Sequence, residues 1–341
     1  MTIRVEQIET RTAPEAVLAT MHDLYLQAEQ EELPDDPPTP LERHVLEWRH
    51  RPDSEDAPRW LLWDDDELIG MAVVWVDLEQ NLENGFARAW IRPDRRGEGH
   101  FRKLAGPMLD YLDAHDRTRV DTYVLQGAPE AALCERLGLK SVYKEKRSRL
   151  VMADVDRDLM QSWVDRAPER ASEYHLLTLR TPFPADVVAP YAELQFQMNT
   201  APMEDFEFED EVITPERWLE REQWLADNKR DLYAMVAVHT ETGAYAGSTS
   251  ISYDPLHPSQ AWQWETVVHP DHRNKGLGRW LKGANILRIL DERPDVERVD
   301  TWNAGSNEPM LNINVAMGFA PILFPEAWQG PTAAVRASLF G

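Results

Sequence analysis

A basic turn containing two glycines stands between an apolar strand and a helix in the second half of the chain. The stretch VVHPDHRNKGLGRWLK, residues 267–282, places Arg273, Lys275 and Arg279 around Gly276 and Gly278. A tight turn into a helix leaves backbone N–H groups without intrahelical partners, and with the helix dipole they favour an anion. Glycines let a phosphate approach the backbone closely. The pattern predicts a phosphate site; the alternative is a helix entry that the glycines merely ease.

The commoner signatures of phosphate binding, metal binding and hydrolysis are missing from the sequence. Neither GxxxxGK[ST] nor GxGxxG occurs, and HExxH and GxSxG are absent as well. The single cysteine, Cys134, excludes an internal disulfide and a paired-cysteine zinc site, so we predict no metal. A small buried apolar side chain is the ordinary interpretation of Cys134, and a nucleophile is the alternative.

The chain is strongly acidic, with a formal net charge of −24 from 36 Lys and Arg against 60 Asp and Glu. Nucleic-acid binding needs a basic face and is not predicted. A well-solvated surface explains the acidity, and focusing of a cationic substrate such as an amine is the alternative. The first ten residues lack the regions of a signal peptide, and no apolar run is long enough for a membrane helix. We therefore expect a cytoplasmic protein without membrane contact.

The order of predicted elements occurs twice along the chain. In each half a strand and two helices precede a hairpin, which leads to a strand, a proline turn and a helix. The first-half elements are strand 3–10, helices 13–32 and 40–50, and a hairpin turning at 64–66; the second-half elements are strand 174–181, helices 184–200 and 214–228, and a hairpin turning at 242–243. Two copies of one mixed α/β module explain this order. We predict domains at 1–160 and 170–341, with their boundary in the polar segment 156–173.

The basic turn resembles motif A of the GNAT (GCN5-related N-acetyltransferase) superfamily, [RQ]-x-x-G-x-[GA] between a strand and a helix. The matching residues are Arg273-Asn274-Lys275-Gly276-Leu277-Gly278. A second stretch, NEPMLNINVAMGF at 307–319, resembles the family's N-x-x-A-x-x-[LI]-Y-x-x-x-G-F. The amino-acid sequence of these two stretches is most similar to that of actinobacterial tandem GNAT proteins. The resemblance implies two GNAT-like domains, each a mixed, mostly antiparallel sheet flanked by helices.

The resemblance also implies a cosubstrate, a reaction and site residues. The loop and the adjacent Arg279 would bind the pyrophosphate of acetyl-CoA, and the backbone of Val267 and Val268 would bind its pantetheine arm, with Asn303 and Asn307 beside it. The implied reaction is acetyl transfer to a primary amine of a small molecule by direct attack, without a covalent enzyme intermediate. An acyl-CoA-binding sensor or scaffold without catalysis is the alternative.

The sequence departs from the family pattern at the position of the general acid. The family's tyrosine stands four residues before the motif glycine, and this chain has Asn314 there. Asn314 could donate a hydrogen bond or position a water; alternatively it only caps or packs its helix.

Glu265 is the first candidate for the general base. It lies two residues before Val267 and therefore on the same strand face, while Trp264 is expected on the opposite face. Glu265 could instead bind a cationic substrate or be a solvated edge charge. Tyr253 is a lower-ranked catalytic candidate, and His269 is expected to be a turn residue rather than a base.

The N-terminal copy of the motif is degenerate. Arg96-Gly97-Glu98-Gly99-His100-Phe101 places Phe101 where the last glycine should be, and Glu98 adds repulsion toward a phosphate. We therefore predict that residues 1–160 form a domain that does not bind the cofactor and has a structural or substrate-shaping role.

An acidic segment in the second half, MEDFEFEDE at 203–211, is a candidate site for the amine. Glu204, Asp205 and Glu207 could receive a cationic acceptor such as a polyamine. The alternative is a solvated or disordered acidic loop.

Overall fold

The computed structural model contains both strands and helices in each half of the chain and describes residues 2–341. The first elements in chain order are β1 (Ile3–Ile8), α1 (Glu15–Glu32), α2 (Leu41–Arg49), β2 (Glu55–Asp56), β3 (Arg59–Asp64), β4 (Glu67–Asp77), β5 (Asn84–Ile91), α3 (His100–Ala114), β6 (Arg119–Leu125), α4 (Glu130–Arg136) and β7 (Lys140–Val151). The remaining elements are α5 (Arg157–Asp165), α6 (Pro168–Ala171), β8 (Tyr174–Arg180), α7 (Ala185–Gln195), α8 (Pro215–Asp227), β9 (Asp231–His239), β10 (Tyr245–Tyr253), β11 (Gln260–Val268), α9 (Leu277–Glu292), β12 (Arg298–Ala304), α10 (Glu308–Met317), β13 (Ala320–Leu323), β14 (Pro325–Pro331) and α11 (Thr332–Phe340).

The chain forms two compact units whose segments are not consecutive in sequence. Unit 1 comprises the chain up to Tyr143, Glu204–Glu209 and Pro325–Gly341; unit 2 comprises Lys144–Met203 and Asp210–Phe324. Most of β7 thus belongs to unit 2, and β14 and α11 belong to unit 1. The sequence prediction of consecutive domains, 1–160 and 170–341, did not anticipate this exchange, since local periodicity does not specify the partner of a strand.

Unit 1 contains a mostly antiparallel sheet in the order β1-β3-β4-β5-β6-β14, with β2 paired to β4. The β5–β6 pair is parallel. The consecutive apolar residues of β3 point alternately to the two faces of the sheet, which explains why both faces are covered. Trp60 and Leu62 pack with α3, and Leu61 and Trp63 pack with α1.

Unit 2 repeats this arrangement in the order β8-β9-β10-β11-β12-β7, with β13 paired to β7. Its one parallel pair is β11–β12. Along β9, Leu232, Ala234 and Val236 pack on the face of α7 and α8. Between them, Tyr233, Met235 and Ala237 pack on the opposite face, which α9 covers.

The prediction of a mixed α/β fold with a mostly antiparallel sheet and flanking helices is confirmed. The Thr214 side chain caps α8, because its hydroxyl accepts a hydrogen bond from the Arg217 N–H at 3.2 Å. Among residues 2–341, no helix is both long and apolar enough to cross a membrane.

Candidate functional site

The basic turn of unit 2 enters α9 through two residues in the left-handed region. Asn274 has φ 64° and Gly276, the N-cap of α9, has φ 82°. Nothing lies within 4 Å of the place of a Cβ at Gly276, so its backbone conformation rather than crowding favours glycine. Leu277 is buried and anchors the helix start. The first N–H groups of α9 therefore lie at a glycine-lined end of the helix, where an anion is stabilised.

Gly278 on α9 lies close to the Ile313 side chain of α10. A Cβ at Gly278 would lie 3.2 Å from the Ile313 Cδ1 atom, which is tighter than ordinary van der Waals contact. The helix start therefore has no room for a side chain on this side. The absence of a side chain at Gly278 is consistent with the prediction that a phosphate approaches the backbone closely here.

Arg273 is oriented without being neutralised. Its Nε donates to the Val268 carbonyl at 3.2 Å, and its Nη2 donates to the Thr200 hydroxyl at 2.8 Å. Both of these acceptors are uncharged, and no carboxylate pairs with Arg273 among residues 2–341, so its positive charge remains available to an anion. Lys275, in contrast, forms an ion pair with Glu173 at 3.1 Å.

Two further cations lie at the turn. Arg170 Nη2 donates to the Asn274 carbonyl at 2.8 Å, and the sequence prediction missed this residue because it comes from the distant α6. The Arg279 guanidinium lies 5.6 Å from the Trp163 ring centroid on α5. Arg279 therefore contacts α5, whereas Arg170 contacts the loop itself.

A β-bulge in β11 positions Glu265. Thr249 pairs with Thr266, whereas Ile251 pairs with Gln263, so Ser250 is opposed by both Trp264 and Glu265. A bulge of this kind re-aims side chains and leaves part of the ladder unpaired, and it is common beside active sites. The prediction that Trp264 faces away from Glu265 is wrong, because the bulge interrupts the alternation: Trp264 packs with the α7–α8 core that contains Tyr191.

Two hydroxyl groups hold the Glu265 carboxylate. The Ser250 hydroxyl donates to Oε1 at 2.9 Å, and the Tyr191 hydroxyl donates to the same atom at 3.2 Å. Tyr191 is fully buried, and burial, followed by the nearby Glu265 charge, raises its pKa well above the usual value of a tyrosine. The tyrosine therefore stays protonated and acts as a donor. Neither partner was predicted, since Tyr191 lies on α7, far from Glu265 in sequence.

Beyond the bulge, β11 and β12 separate. Their parallel ladder pairs Gln260, Ala261 and Trp262 with Arg298, Val299 and Asp300. The later backbone of β11, including Val267 and Val268, therefore pairs with β10 on one side but lies outside the β12 ladder on the other. Such a divergence gives an extended ligand access to main-chain hydrogen bonds.

Asn303 and Asn314 meet at this divergence. The Asn314 Nδ2 donates to the Asn303 Oδ1 at 2.7 Å, so the structure brings two predicted residues together. Asn314 is 2% exposed, and its Oδ1 has no hydrogen-bond partner. A buried amide oxygen without a partner is costly, and a ligand N–H in the cleft would satisfy it.

Three other residues considered in the sequence analysis, Asn307, His269 and Tyr253, make contacts within the protein. The Asn307 side chain caps α10 by accepting from the Met310 N–H at 3.4 Å. The His269 Nδ1 accepts from the Asp271 N–H, as expected for a turn residue. Tyr253 lies at the end of β10 farthest from the basic turn, where its hydroxyl donates to Asp295, and burial raises its pKa to about 12. The structure therefore does not bring Tyr253 to the site, which corrects its nomination as a catalytic residue.

The acidic segment also differs from the expectation. Glu204–Glu209 is part of unit 1 rather than an acceptor loop of unit 2. The Glu207 carboxylate pairs with Arg119 at 2.9 Å, and the Glu207 N–H donates to the Gln329 side chain at 3.0 Å. The fold therefore does not support the prediction that Glu204, Asp205 and Glu207 receive the amine in unit 2.

The equivalent loop of unit 1 has the same backbone but different chemistry. Gly97 and Gly99 have φ 82° and 76°, matching Asn274 and Gly276. The Arg96 Nε donates to a strand carbonyl at 3.0 Å, as Arg273 does, but the two Arg96 Nη atoms donate to Glu31 at 2.7 and 2.6 Å. Hydrogen bonding to Arg96 holds the pKa of Glu31 below its usual value, so this arginine is neutralised by a carboxylate.

The remaining site features of unit 2 are also replaced in unit 1. The β4–β5 ladder runs without a bulge from Gly70 to Trp75, and Arg88 stands where Trp264 and Glu265 stand in unit 2. Cys134 stands four residues before Gly138, as Asn314 does before Gly318. Burial raises the pKa of the Cys134 thiol to about 11, which disfavours a nucleophilic thiolate. Among residues 2–341, no cluster of three His, Cys, Asp or Glu side chains could hold a metal ion.

Comparisons with known proteins agree with the repeat of the domain along the chain. The family model described as "Acetyltransferase (GNAT) family" matches residues 18–139 and 197–319. A solved tandem GNAT protein from the clavulanic acid biosynthesis pathway, determined without acetyl-CoA, is similar with a TM-score of 0.80 and 25% identity, over 97% of this chain and 99% of that chain. A GCN5-related N-acetyltransferase from Sphaerobacter thermophilus shares the fold, with a TM-score of 0.71 and 17% identity over 97% of this chain and 96% of that chain. No curated protein matches the chain.

Proposed function

Because the chain belongs to the GNAT acetyltransferase family, with two GNAT regions in tandem, we propose that unit 2 transfers the acetyl group of acetyl-CoA to a primary amine of a small molecule. Membership of the family makes the protein an acyltransferase. The proposal that unit 2 carries out the reaction rests on the asymmetry between the two repeats. Unit 2 has an unpaired arginine at the glycine turn, a bulge with an anchored carboxylate and a buried asparagine pair. Unit 1 has none of these at its equivalent positions.

The residues of unit 2 are consistent with acetyl-CoA as the cosubstrate. The helix start at Gly276 and Gly278, with Arg273 beside it, is suited to a pyrophosphate. The β11 backbone at Val267 and Val268 can pair with the amides of the pantetheine arm. The unpartnered Oδ1 of Asn314 would accept one pantetheine N–H, which supports this placement of the arm.

Glu265 is suited to receive the proton of the attacking amine, either directly or through one water. The amine nitrogen forms a bond to the thioester carbonyl carbon, and the C–S bond breaks. Ser250 and Tyr191 fix the carboxylate so that its second oxygen can face the amine. Backbone N–H groups of β11 outside the ladder can polarise the carbonyl, and the Asn314 amide can donate to the departing sulfur.

The acceptor is proposed to be a small amine, with a cationic amine as one candidate, and neither nucleic acid nor a membrane is a proposed partner. A cytoplasmic location stays a prediction. The test measures thiol release from acetyl-CoA in the presence of a polyamine, an aminoglycoside and a basic dipeptide, with mass detection of the acetylated product. We expect amine-dependent release that falls about 100-fold in Glu265→Gln. Arg88→Gln, at the equivalent position of unit 1, is the matched control and should retain activity.

The competing function is an acyl-CoA sensor, which Asn314 in the place of the family's tyrosine favours. Tight acetyl-CoA binding without thiol release for any amine would favour the sensor. Equal activity in Glu265→Gln and the wild type would contradict the proposed base while leaving acetyl transfer in place.

A further inference from the structure

Unit 1 contains a cavity of about 380 Å³ between its central strands and the helices on one face. Its walls come from β5 and β6 where they diverge, from α3, α4 and α11, and from the end of α1. The volume lies within the range of sites that hold small organic molecules, roughly 300–1,000 Å³. Protein interiors have few voids larger than a water molecule, so imperfect core packing does not explain a space of this size.

The cavity is lined mainly by apolar side chains. Its deep end is formed by core residues, including Met108, Leu112, Leu137 and Val335. Near the strands it is lined by Val124 and Cys134, which take the places of the polar Asn303 and Asn314 of unit 2. The same cleft is therefore polar in one repeat and apolar in the other. Apart from the paired charges at the mouth, the wall residues with hydrogen-bonding side chains are Trp90, Thr122, Tyr123 and Glu130, so apolar side chains outnumber them.

Four of the charged residues that line the cavity are paired with one another, and the fifth, Glu130, adds a negative charge that repels anions. Arg96 is bound by both oxygens of Glu31, and Arg88 is bound by Glu32. All four residues lie in the cavity wall, so neither arginine presents an uncompensated charge to a ligand. Phe101 lies partly buried against the apolar core at the position of Gly278, where an anion would need open backbone. The mouth thus disfavours a phosphate or a carboxylate.

We propose that unit 1 binds an uncharged, apolar small molecule, an aliphatic chain or an aromatic ring, in this cavity. The site is separate from the acetyl-CoA site proposed for unit 2 and does not depend on it. The apolar lining supplies the affinity through burial of the ligand, and the paired charges at the mouth exclude anionic competitors.

The test titrates the whole protein with N-phenyl-1-naphthylamine, an uncharged probe that fluoresces in apolar surroundings. We expect one saturable site per chain. Straight-chain alcohols should displace the probe, and each added methylene should tighten competition roughly fourfold until the cavity is full. Absence of saturable binding would overturn the proposal.

Two variants fill the cavity from different walls, so that misfolding of one does not leave the question open. In Cys134→Trp and Ala105→Phe, probe affinity should fall at least about tenfold while the thermal unfolding transition persists, since each side chain lines the cavity. Gly278→Phe, in the loop of unit 2, is the matched control and should bind the probe like the wild type. Unchanged probe binding in both filled variants would show that the probe binds elsewhere, against the proposal.

A second readout uses Cys134, the single cysteine of the chain. Saturating decanol should slow its alkylation by N-ethylmaleimide at least about fivefold, because the ligand covers the thiol from within the cavity. Displacement of the probe by acetyl-CoA, equally in the wild type and in Gly278→Phe, would assign the cavity to the cosubstrate and overturn the proposal. If Gly278→Phe loses acetyl-CoA binding but still binds the probe, the result tests the proposed function of unit 2 and does not contradict the cavity proposal.

Discussion

Replacing Gly278 tests whether the start of α9 holds the pyrophosphate. A Cβ at this position already lies 3.2 Å from Ile313 Cδ1, so alanine requires a shift of a few tenths of an ångström. The Ile313 side chain blocks a phenylalanine ring on that side, so we expect the ring to occupy the space in front of the helix N-terminus. Phe101 shows that a chain of this fold accepts the ring at the equivalent position.

The expected loss follows from the hydrogen bonds that the ring would displace. A hydrogen bond to a charged group contributes about 1.5–3 kcal/mol, so losing two from the helix start removes at least about 3 kcal/mol. The Kd of acetyl-CoA should therefore rise about 100-fold or more in Gly278→Phe. Gly278→Ala should weaken binding less than about tenfold, because only the Ile313 contact changes.

Titration calorimetry measures these affinities, and thermal unfolding of each variant separates lost binding from lost fold. Phe101→Gly is the matched change in unit 1. It should not create a second acetyl-CoA site, since Glu31 still pairs with Arg96. A folded Gly278→Phe that binds acetyl-CoA within threefold of the wild type would refute the reasoning.

Three further substitutions test the interior of unit 2. Tyr191→Phe removes one of the two donors to Glu265 and should lower kcat roughly three- to tenfold with little change in KM. A change in KM without a change in kcat would contradict a role of Tyr191 in positioning the base. Asn314→Leu should raise the Kd of acetyl-CoA about tenfold in calorimetry, since the cleft loses its unpartnered acceptor, and unchanged affinity would contradict that contact. Burial lowers the pKa of Lys282 to about 7, so between about pH 7 and 10 the unfolded chain holds a proton that the folded chain has released. The free energy of unfolding of the wild type relative to Lys282→Met should therefore rise with pH by up to about 1.4 kcal/mol per unit, and a flat difference in urea titrations would contradict the shift.

Features that depend on a short stretch of chain were predictable from the sequence. The turn at Arg273–Gly278 and the helix after it depend on local backbone preferences, and the structure has them where they were predicted. The repeated element order was also sufficient to predict two similar sheets, because the same periodicities occur twice.

Features that depend on distant pairing were not predictable. Tyr191 approaches Glu265 only through the packing of α7 on the sheet, and no local pattern links the two residues. The bulge changed the face of Trp264 because one extra residue in β11 breaks the period of two. The acidic segment was misplaced for a similar reason, since backbone and side-chain hydrogen bonds to Asn81, Asn84 and Gln329 bind it to unit 1.

A crystal structure of the protein with acetyl-CoA tests the central claim most directly. The account predicts one bound molecule in unit 2, with its pyrophosphate at the N–H groups of Gly276 and Gly278 and its pantetheine arm between β11 and β12. Glu265 should then lie beside the thioester, on the side open to an amine. Acetyl-CoA bound between β5 and β6 of unit 1, with the unit 2 cleft empty, would contradict the account.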